Sequence, residues 1–234
     1  MQKEILIVPD VHGRKFWEPA LDFGGEVVFL GDYADPYPSE GLTDAGAYEV
    51  LQQIVTFKKQ NPGRVTLLVG NHELHYYNSM YESSRFSRKY YERFHAILTD
   101  TETAGLFRLC KQTGKYLFIH AGLLSGWHNR YAQRLASLGA TLDEQLNNLF
   151  LEDKEPFYEV SKDFRGGFHD YGSPLWADIN EHLAEKVPFN RETIQVIGHT
   201  QMKYDHAFEW KNIRLLDNRR LYLLSDGKFT VYEA

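Results

Sequence analysis

One cysteine, Cys110, stands among 234 residues, so no internal disulfide can form and a reducing cytoplasm is the expected setting. No apolar run approaches the length of a membrane span, so no membrane role is expected. The first strand is expected directly after Met1-Gln2-Lys3-Glu4, so no signal peptide is expected. Basic residues are in the minority: the net charge of −6 argues against nucleic acid as a partner. A phosphorylated substrate is not excluded by that charge, because bound metal ions reverse the local sign. Repeats, low-complexity tracts and Pro/Gly/Ser linkers are also missing, so the chain reads as a single domain over 1–234.

What is present is a globular composition, 43% hydrophobic and 15% aromatic, and one pattern that recurs. Val65-Thr66-Leu67-Leu68-Val69 reads as a short buried strand, followed at once by Gly70-Asn71-His72-Glu73. Ile5 to Val8 leads in the same way into Pro9-Asp10-Val11-His12-Gly13, and Val27 to Leu30 into Gly31-Asp32-Tyr33-Ala34-Asp35. Tyr116 to Ile119 leads into His120-Ala121-Gly122, and Ile194 to Ile197 into Gly198-His199-Thr200. A polar loop after one core strand is common. Five that each deliver Asp, His or Asn at the same strand end would, in parallel neighbours, converge on one point at the sheet edge.

Between these strands the chain alternates with helices. Phe16 to Phe23 reads as a short helix closed by Gly24-Gly25. Thr43 is the expected N-cap of a helix through Lys59, with Ala47, Val50, Leu51, Ile54, Val55 and Phe57 on its apolar face. Two helical, cap-like excursions are expected at about 74–111 and 127–172. The tail is β: Ile213 to Leu216, then Leu221 to Ser225 and Phe229 to Tyr232 around an Asp226-Gly227 hairpin turn. Hairpins after alternating strands and helices imply a mixed sheet.

The side chains at the strand ends are an oxygen/nitrogen ligand set without thiolate, suited to manganese, iron or zinc. Asp10 and His12, two apart in an extended segment, would point to one side. Asp32 could bridge two ions, with Asn71, His120 and His199 completing the second. Two ions about 3.5–4 Å apart sharing a carboxylate suit in-line attack on phosphorus by the water between them, deprotonated near neutral pH. His72, beside Asn71, should project differently and transfer protons; Asp35 is placed to orient and charge it, so that the pair protonates the leaving alkoxide.

At these residues the chain resembles the calcineurin-like metallophosphoesterases, and within them it is similar to the serine/threonine phosphoprotein phosphatase branch. Asp10 to Gly13, Gly31 to Asp35, Gly70 to Glu73, His120 to Gly122 and Gly198-His199 match that branch's motifs in order. Ser173-Pro174-Leu175-Trp176 resembles its Pro-Leu-Trp segment. The resemblance implies an α/β fold of two mixed β-sheets packed as a sandwich flanked by helices, four layers in all, with a dinuclear centre at the sheet edges. It implies two divalent transition ions, manganese first, and a phosphoprotein or small phosphate ester as substrate.

The chain departs from that pattern in three places. Pro36-Tyr37 stands where an Arg-Gly pair often follows the second motif, and that arginine holds the phosphate. Gln201 replaces a second late histidine, and Pro9 a glycine. Arg165, in a Gly-Gly-flanked loop, is the first candidate to replace the arginine, and Arg14 the second. Histidines 75, 95, 128, 169, 182 and 206 are expected to be surface or hydrogen-bonded residues, and no serine has partners for a triad. A phosphomonoesterase of protein-phosphatase type is the first reading. A hydrolase of dinucleoside polyphosphates or other small phosphate esters is the second, and a non-catalytic binding scaffold the third.

Overall fold

The computed structural model describes residues 4–78 and 80–233. In chain order its elements are β1 (Ile5–Val8), β2 (Glu26–Phe29), α1 (Asp44–Gln60), β3 (Val65–Leu68), α2 (Asn71–Tyr77) and α3 (Tyr91–Thr99). Then come β4 (Phe107–Arg108), β5 (Cys110–Thr113), β6 (Tyr116–Ile119), α4 (Ser125–Ala136), α5 (Leu142–Glu152) and α6 (Ile179–Ala184). The last elements are β7 (Ile194–Ile197), β8 (Phe208–Trp210), β9 (Ile213–Leu215), β10 (Tyr222–Ser225) and β11 (Lys228–Val231). The chain divides into two compact units, Met1–Arg108 with Asn218–Ala234, and Leu109–Asp217. Each unit carries one mixed sheet with flanking helices, the α/β class and mixed pairing that the sequence implies.

In the first unit the sheet runs β11-β10-β1-β2-β3-β4. β1, β2, β3 and β4 are parallel, and the β10–β11 hairpin adds antiparallel strands at one side. The register pairs Val8 with Phe29 and Phe29 with Leu67, so the three strands end within one residue of each other. That alignment brings their following loops side by side. Every residue of β1, a continuous apolar run, and of β3, apolar but for Thr66, is buried, as strands of a covered parallel sheet should be. α1 is capped by Thr43, whose hydroxyl accepts the Gly46 amide at 3.1 Å, and all six expected apolar positions are buried. At about 1.5–3 kcal/mol for each large apolar side chain buried, that face is enough to hold the helix. Asp226 and Gly227 both take positive φ, 49° and 79°, as a tight hairpin turn requires.

In the second unit the order is β5-β6-β7-β9-β8, with β6, β7 and β9 parallel and the two edge strands antiparallel. The helical excursion expected at about 127–172 holds two helices, α4 and α5, broken over 137–141, where Ser137 and Gly139 interrupt it. Leu135, Leu146 and Leu149 are fully buried, while Leu138, inside the break, and Leu142, just after it, are half-exposed. The region 74–111, read as helical throughout, contains α3 and then turns into β4 and β5. Phe16 to Phe23 holds a single 3-10 turn, Glu18–Leu21. Among the described residues no helix is long and apolar enough to cross a membrane.

Candidate active site

The first unit gathers its polar residues where β1, β2 and β3 end. Asp10, His12, Asp32, Asp35, Asn71, His72 and Glu73 are all buried there. His12, Asp32 and His72 each offer one ligand atom within 4.8 Å of the others, a group that does not include Asp10. His12 Nε2 lies 3.4 Å from Asp32 Oδ2, and its Nδ1 is 2.8 Å from the Ala34 carbonyl, which fixes the ring. His72 Nδ1 lies 2.7 Å from Asp35 Oδ2. Tyr76 and Ser83 donate hydroxyl hydrogen bonds to Asp35, at 2.5 and 3.0 Å.

His12 arrives differently from the expectation of an extended Asp10–His12 segment. Its φ is 45°, a left-handed conformation, and its amide and that of Val11 both bond the Asp32 carbonyl, at 2.6 and 3.0 Å. Asp32 and Asp35 are also left-handed, at 53° and 52°. Such residues cost of order 1–3 kcal/mol each and persist only where surroundings over-determine them. Here the over-determination comes from Glu73. Its carboxylate accepts the amides of Asp32 (2.8 Å), Tyr33 (2.8 Å), Ala34 (2.9 Å) and Gly70 (3.0 Å). The Gly-Asn-His-Glu motif therefore uses its last residue to hold the loop after β2.

Gly70 has an ordinary extended backbone, φ −99° and ψ 179°, so a sharp turn is not what requires glycine. A Cβ there would collide with the Asp32 carboxylate and lie 2.5 Å from its amide. Close approach of β3's exit to Asp32 is the reason. In the same place the His72 amide donates to Asp32 Oδ1 at 3.0 Å.

Burial sets the electrostatics. It drives the His12 pKa well below its usual value, with repulsion from the neighbouring His72 adding to the effect, so His12 stays neutral. Neutral imidazole is the form that takes a metal. Burial likewise raises Asp35 to about 6, against the pull of Tyr76 and Ser83. Glu73 is raised to about 7 by burial, with its amide donors opposing. Four amides on both oxygens leave no acceptor position for a proton, so the geometry favours the carboxylate.

The second unit places His120 and His199 at the ends of β6 and β7. His120 is fully buried, His199 half-buried, and His120 Nε2 lies 3.2 Å from His199 Nδ1. His199 is left-handed, φ 67°, and the Gly198 amide donates to the His120 carbonyl at 2.8 Å. The Pro-Leu-Trp segment borders this pair: the Ala121 amide donates to Pro174 O at 3.0 Å, and the Trp176 ring meets His199 edge-on at 5.9 Å. Gly122, φ 96°, lies against the buried His182 ring, which bonds the Ala121 carbonyl at 3.0 Å.

Neither candidate arginine lacks a carboxylate. Arg165 reaches Thr200 Oγ1 at 3.1 Å, next to His199, and its Nε lies 2.8 Å from Asp178. Arg14 grips Glu40 with two nitrogens, at 2.7 and 3.1 Å, and Glu40 also pairs with Arg219. A third arginine, absent from the sequence reading, stands at the first unit's cluster. Arg85 Nη2 is 3.3 Å from His72 Nε2, and its Nε donates to the Asp35 carbonyl at 3.0 Å. Nothing in Glu82-Ser83-Ser84-Arg85-Phe86 marks it in sequence. Of the other histidines, His75 and His95 bond the carbonyls of Tyr81 and Tyr76, and His182 is buried and bonded.

The model of the calcineurin-like phosphoesterase family matches residues 4–223. The chain belongs to that family. It is an enzyme of the phosphoric ester hydrolase class, and the family works with two metal ions. Among solved structures, a cold-active protein-tyrosine phosphatase of a psychrophilic Shewanella species is 18% identical, with a TM-score of 0.56. That match covers 97% of this chain and 76% of that one. A serine/threonine phosphatase from Saccharomyces cerevisiae, with similarity to human phosphatase PP5, is 17% identical, with a TM-score of 0.55. It covers 99% of this chain and 80% of the yeast chain. At those identities the likeness is one of fold. No curated protein matches the sequence significantly.

Proposed function

We propose that this phosphoesterase hydrolyses phosphate monoesters, phosphoproteins first among them, with His72 as the general acid. The observation that carries the reading is the pair His72 Nδ1–Asp35 Oδ2 at 2.7 Å, buried beside His12 and Asp32. A serine or threonine alkoxide is a poor leaving group and needs a proton as the P–O bond breaks. Asp35 would hold the ring with Nδ1 as donor and Nε2 turned to the reacting group. In a dinucleoside polyphosphate the leaving group is itself a phosphate, which needs that proton less. The two solved structures above act, by name, on different phosphoresidues, and the substrate assay decides between these.

The donor chemistry fits divalent transition ions: buried nitrogen and oxygen ligands, no sulfur, His12 held neutral. We assign Asp10, His12, Asp32 and Asn71 of the first unit and His120 and His199 of the second as the residues that would hold the metal, with manganese the favoured ion. Bound there, the ions supply an activated water and offset the charge of the phosphoryl group. The protein's own part is positional: Glu73 fixes the Asp32 loop, Ala34 fixes the His12 ring, and Asp35 fixes His72.

The test is turnover with Mn²⁺ on phosphopeptides, nucleotides and dinucleoside polyphosphates, before and after chelation. Phosphopeptide hydrolysis that stops on chelation and returns with Mn²⁺ is expected; activity that survives exhaustive chelation defeats the metal assignment. His72→Asn should keep its metal and lose roughly 10²–10⁴ in kcat on phosphoserine, and less on p-nitrophenyl phosphate. Equal losses on both substrates would remove His72 from the proton-donor role.

A further inference from the structure

We propose that Arg85 is the arginine that binds the substrate's phosphoryl group, filling the role left open by Pro36. This rests on the phosphoesterase reading above.

Pro36 is flanked by Asp35 and Tyr37, and both hold the Arg85 guanidinium. Arg85 Nε donates to the Asp35 carbonyl at 3.0 Å, and its Cζ lies 3.8 Å from the centre of the Tyr37 ring. Stacking on an aromatic face together with an Nε hydrogen bond fixes the plane of the fork. A loop more than forty residues downstream thus delivers a cation to the spot where the resemblance expects residue 36 to supply one. The chain has the positive charge and takes it from another segment.

The fork points at the reacting end of His72: Nη2 is 3.3 Å from Nε2, the nitrogen opposite the one held by Asp35. A group to be protonated by Nε2 would lie against Arg85 as well. Nη1 has no hydrogen-bond partner among the described residues, and no carboxylate there forms an ion pair with this guanidinium. That separates it from its rivals. Arg14 is bound by Glu40 through two nitrogens, and Arg165 faces Asp178 at 2.8 Å, so either must give up or share a carboxylate to take a phosphate. Arg85 is half-buried and gives up only its contact with the His72 ring. Its backbone is left-handed, φ 66°, a conformation an arginine rarely adopts and one the contacts with Asp35 and Tyr37 must maintain.

The experiment compares the Mn²⁺-loaded wild type with Arg85→Ala, Arg85→Lys, Arg14→Ala and Arg165→Ala. Calorimetry with inorganic phosphate reads binding without turnover, and p-nitrophenyl phosphate gives kcat and KM. Arg85→Ala should weaken phosphate binding and raise KM by roughly 10- to 100-fold, the range of charge-assisted hydrogen bonds, with metal content and melting temperature near wild type. Arg85→Lys should recover only part of that loss, because a point charge lacks the fork. If Arg85→Ala misfolds, Arg85→Gln supplies the same comparison. Unchanged phosphate affinity, or the same loss from Arg14→Ala or Arg165→Ala alone, overturns the proposal. A variant with reduced kcat but wild-type KM and phosphate affinity makes Arg85 a prop for His72 and overturns it too. A wild type that binds phosphate but hydrolyses no monoester defeats the functional reading alone; whether Arg85→Ala loses that binding then decides for Arg85. A wild type that binds no phosphate overturns both.

Discussion

The strand ends of the two units are built to different standards of rigidity. In the first, His12, Asp32 and Asp35 all hold left-handed backbones, and side-chain bonds from Glu73, Tyr76 and Ser83 brace the loop that carries the two aspartates. In the second, only His199 among the motif residues outside glycine is left-handed, and the loops are joined chiefly by backbone bonds such as Gly198 N to His120 O. His199 is also half-exposed where His12 is buried. The difference follows the chemistry proposed for each. Proton transfer by His72 tolerates little misplacement, so its support is over-determined. A metal ligand such as His199 is positioned partly by the ion it holds. The first unit should therefore be stable in its geometry before metal arrives, and the second should gain order from metal.

The most damaging way to break that contrast is to remove Glu73. Glu73→Ala leaves four buried amides without their acceptor, those of Asp32, Tyr33, Ala34 and Gly70. An unpaired buried donor costs about 1–3 kcal/mol, so even with some hydration the loss should be roughly 3–5 kcal/mol. Denaturant unfolding should show the drop, and the variant should bind less metal at the first unit. Glu73→Gln keeps one acceptor oxygen and should fall in between. A variant that unfolds like wild type would mean that the loop after β2 holds its strained backbone without this brace.

Metal titration sharpens the comparison at smaller cost. His199→Ala should lower metal content toward one ion per chain, leaving the pre-built ligands of the first unit occupied. Asp32→Asn should weaken metal binding at the first unit, since a buried charged ligand becomes neutral. Affinity at the damaged position should fall by more than the roughly 10- to 100-fold that loss of an outer partner costs. If His199→Ala loses all metal together, the first unit does not hold an ion by itself and the contrast fails.

Much of this was legible from sequence because it depends on local pattern. Five apolar runs each ending in Asp, His or Asn became β1, β2, β3, β6 and β7, and Thr43 capped α1 as its side chain and position demand. What was hidden depends on long-range partners. β8, with its half-exposed Phe208 and Trp210, is an edge strand defined by pairing with β9 and has no distinctive run of its own. β4 is two residues long and exists through its parallel pairing with β3. The bracing role of Glu73 has no local cue, because three of its four amide partners lie some forty residues earlier and the fourth in the turn itself. Arg85 had no cue at all: its meaning comes from Tyr37 and His72, and neither distance is written in the sequence between them.

The smallest expected effect tests how the second unit is braced. His182 is fully buried, its Nε2 bonded to the Ala121 carbonyl beside His120, and burial lowers its pKa to about 4. In the unfolded chain the group returns to its ordinary value near 6.5, about where free imidazole titrates. Between those values the unfolded chain binds a proton that the folded one refuses, so stability must fall as pH drops from about 6.5 toward 4. The contribution is intact above pH 6.5 and should shrink by about 2 kcal/mol between pH 7 and pH 5. His182→Gln keeps a donor for Ala121 O but does not titrate, so its stability should show that much less pH dependence over the same interval. Denaturant unfolding of metal-free wild type and variant at pH 7, 6 and 5 measures the difference directly. Parallel pH profiles would mean that His182 accepts a proton in place, and that the packing around Gly122 is looser than its contact with the ring implies.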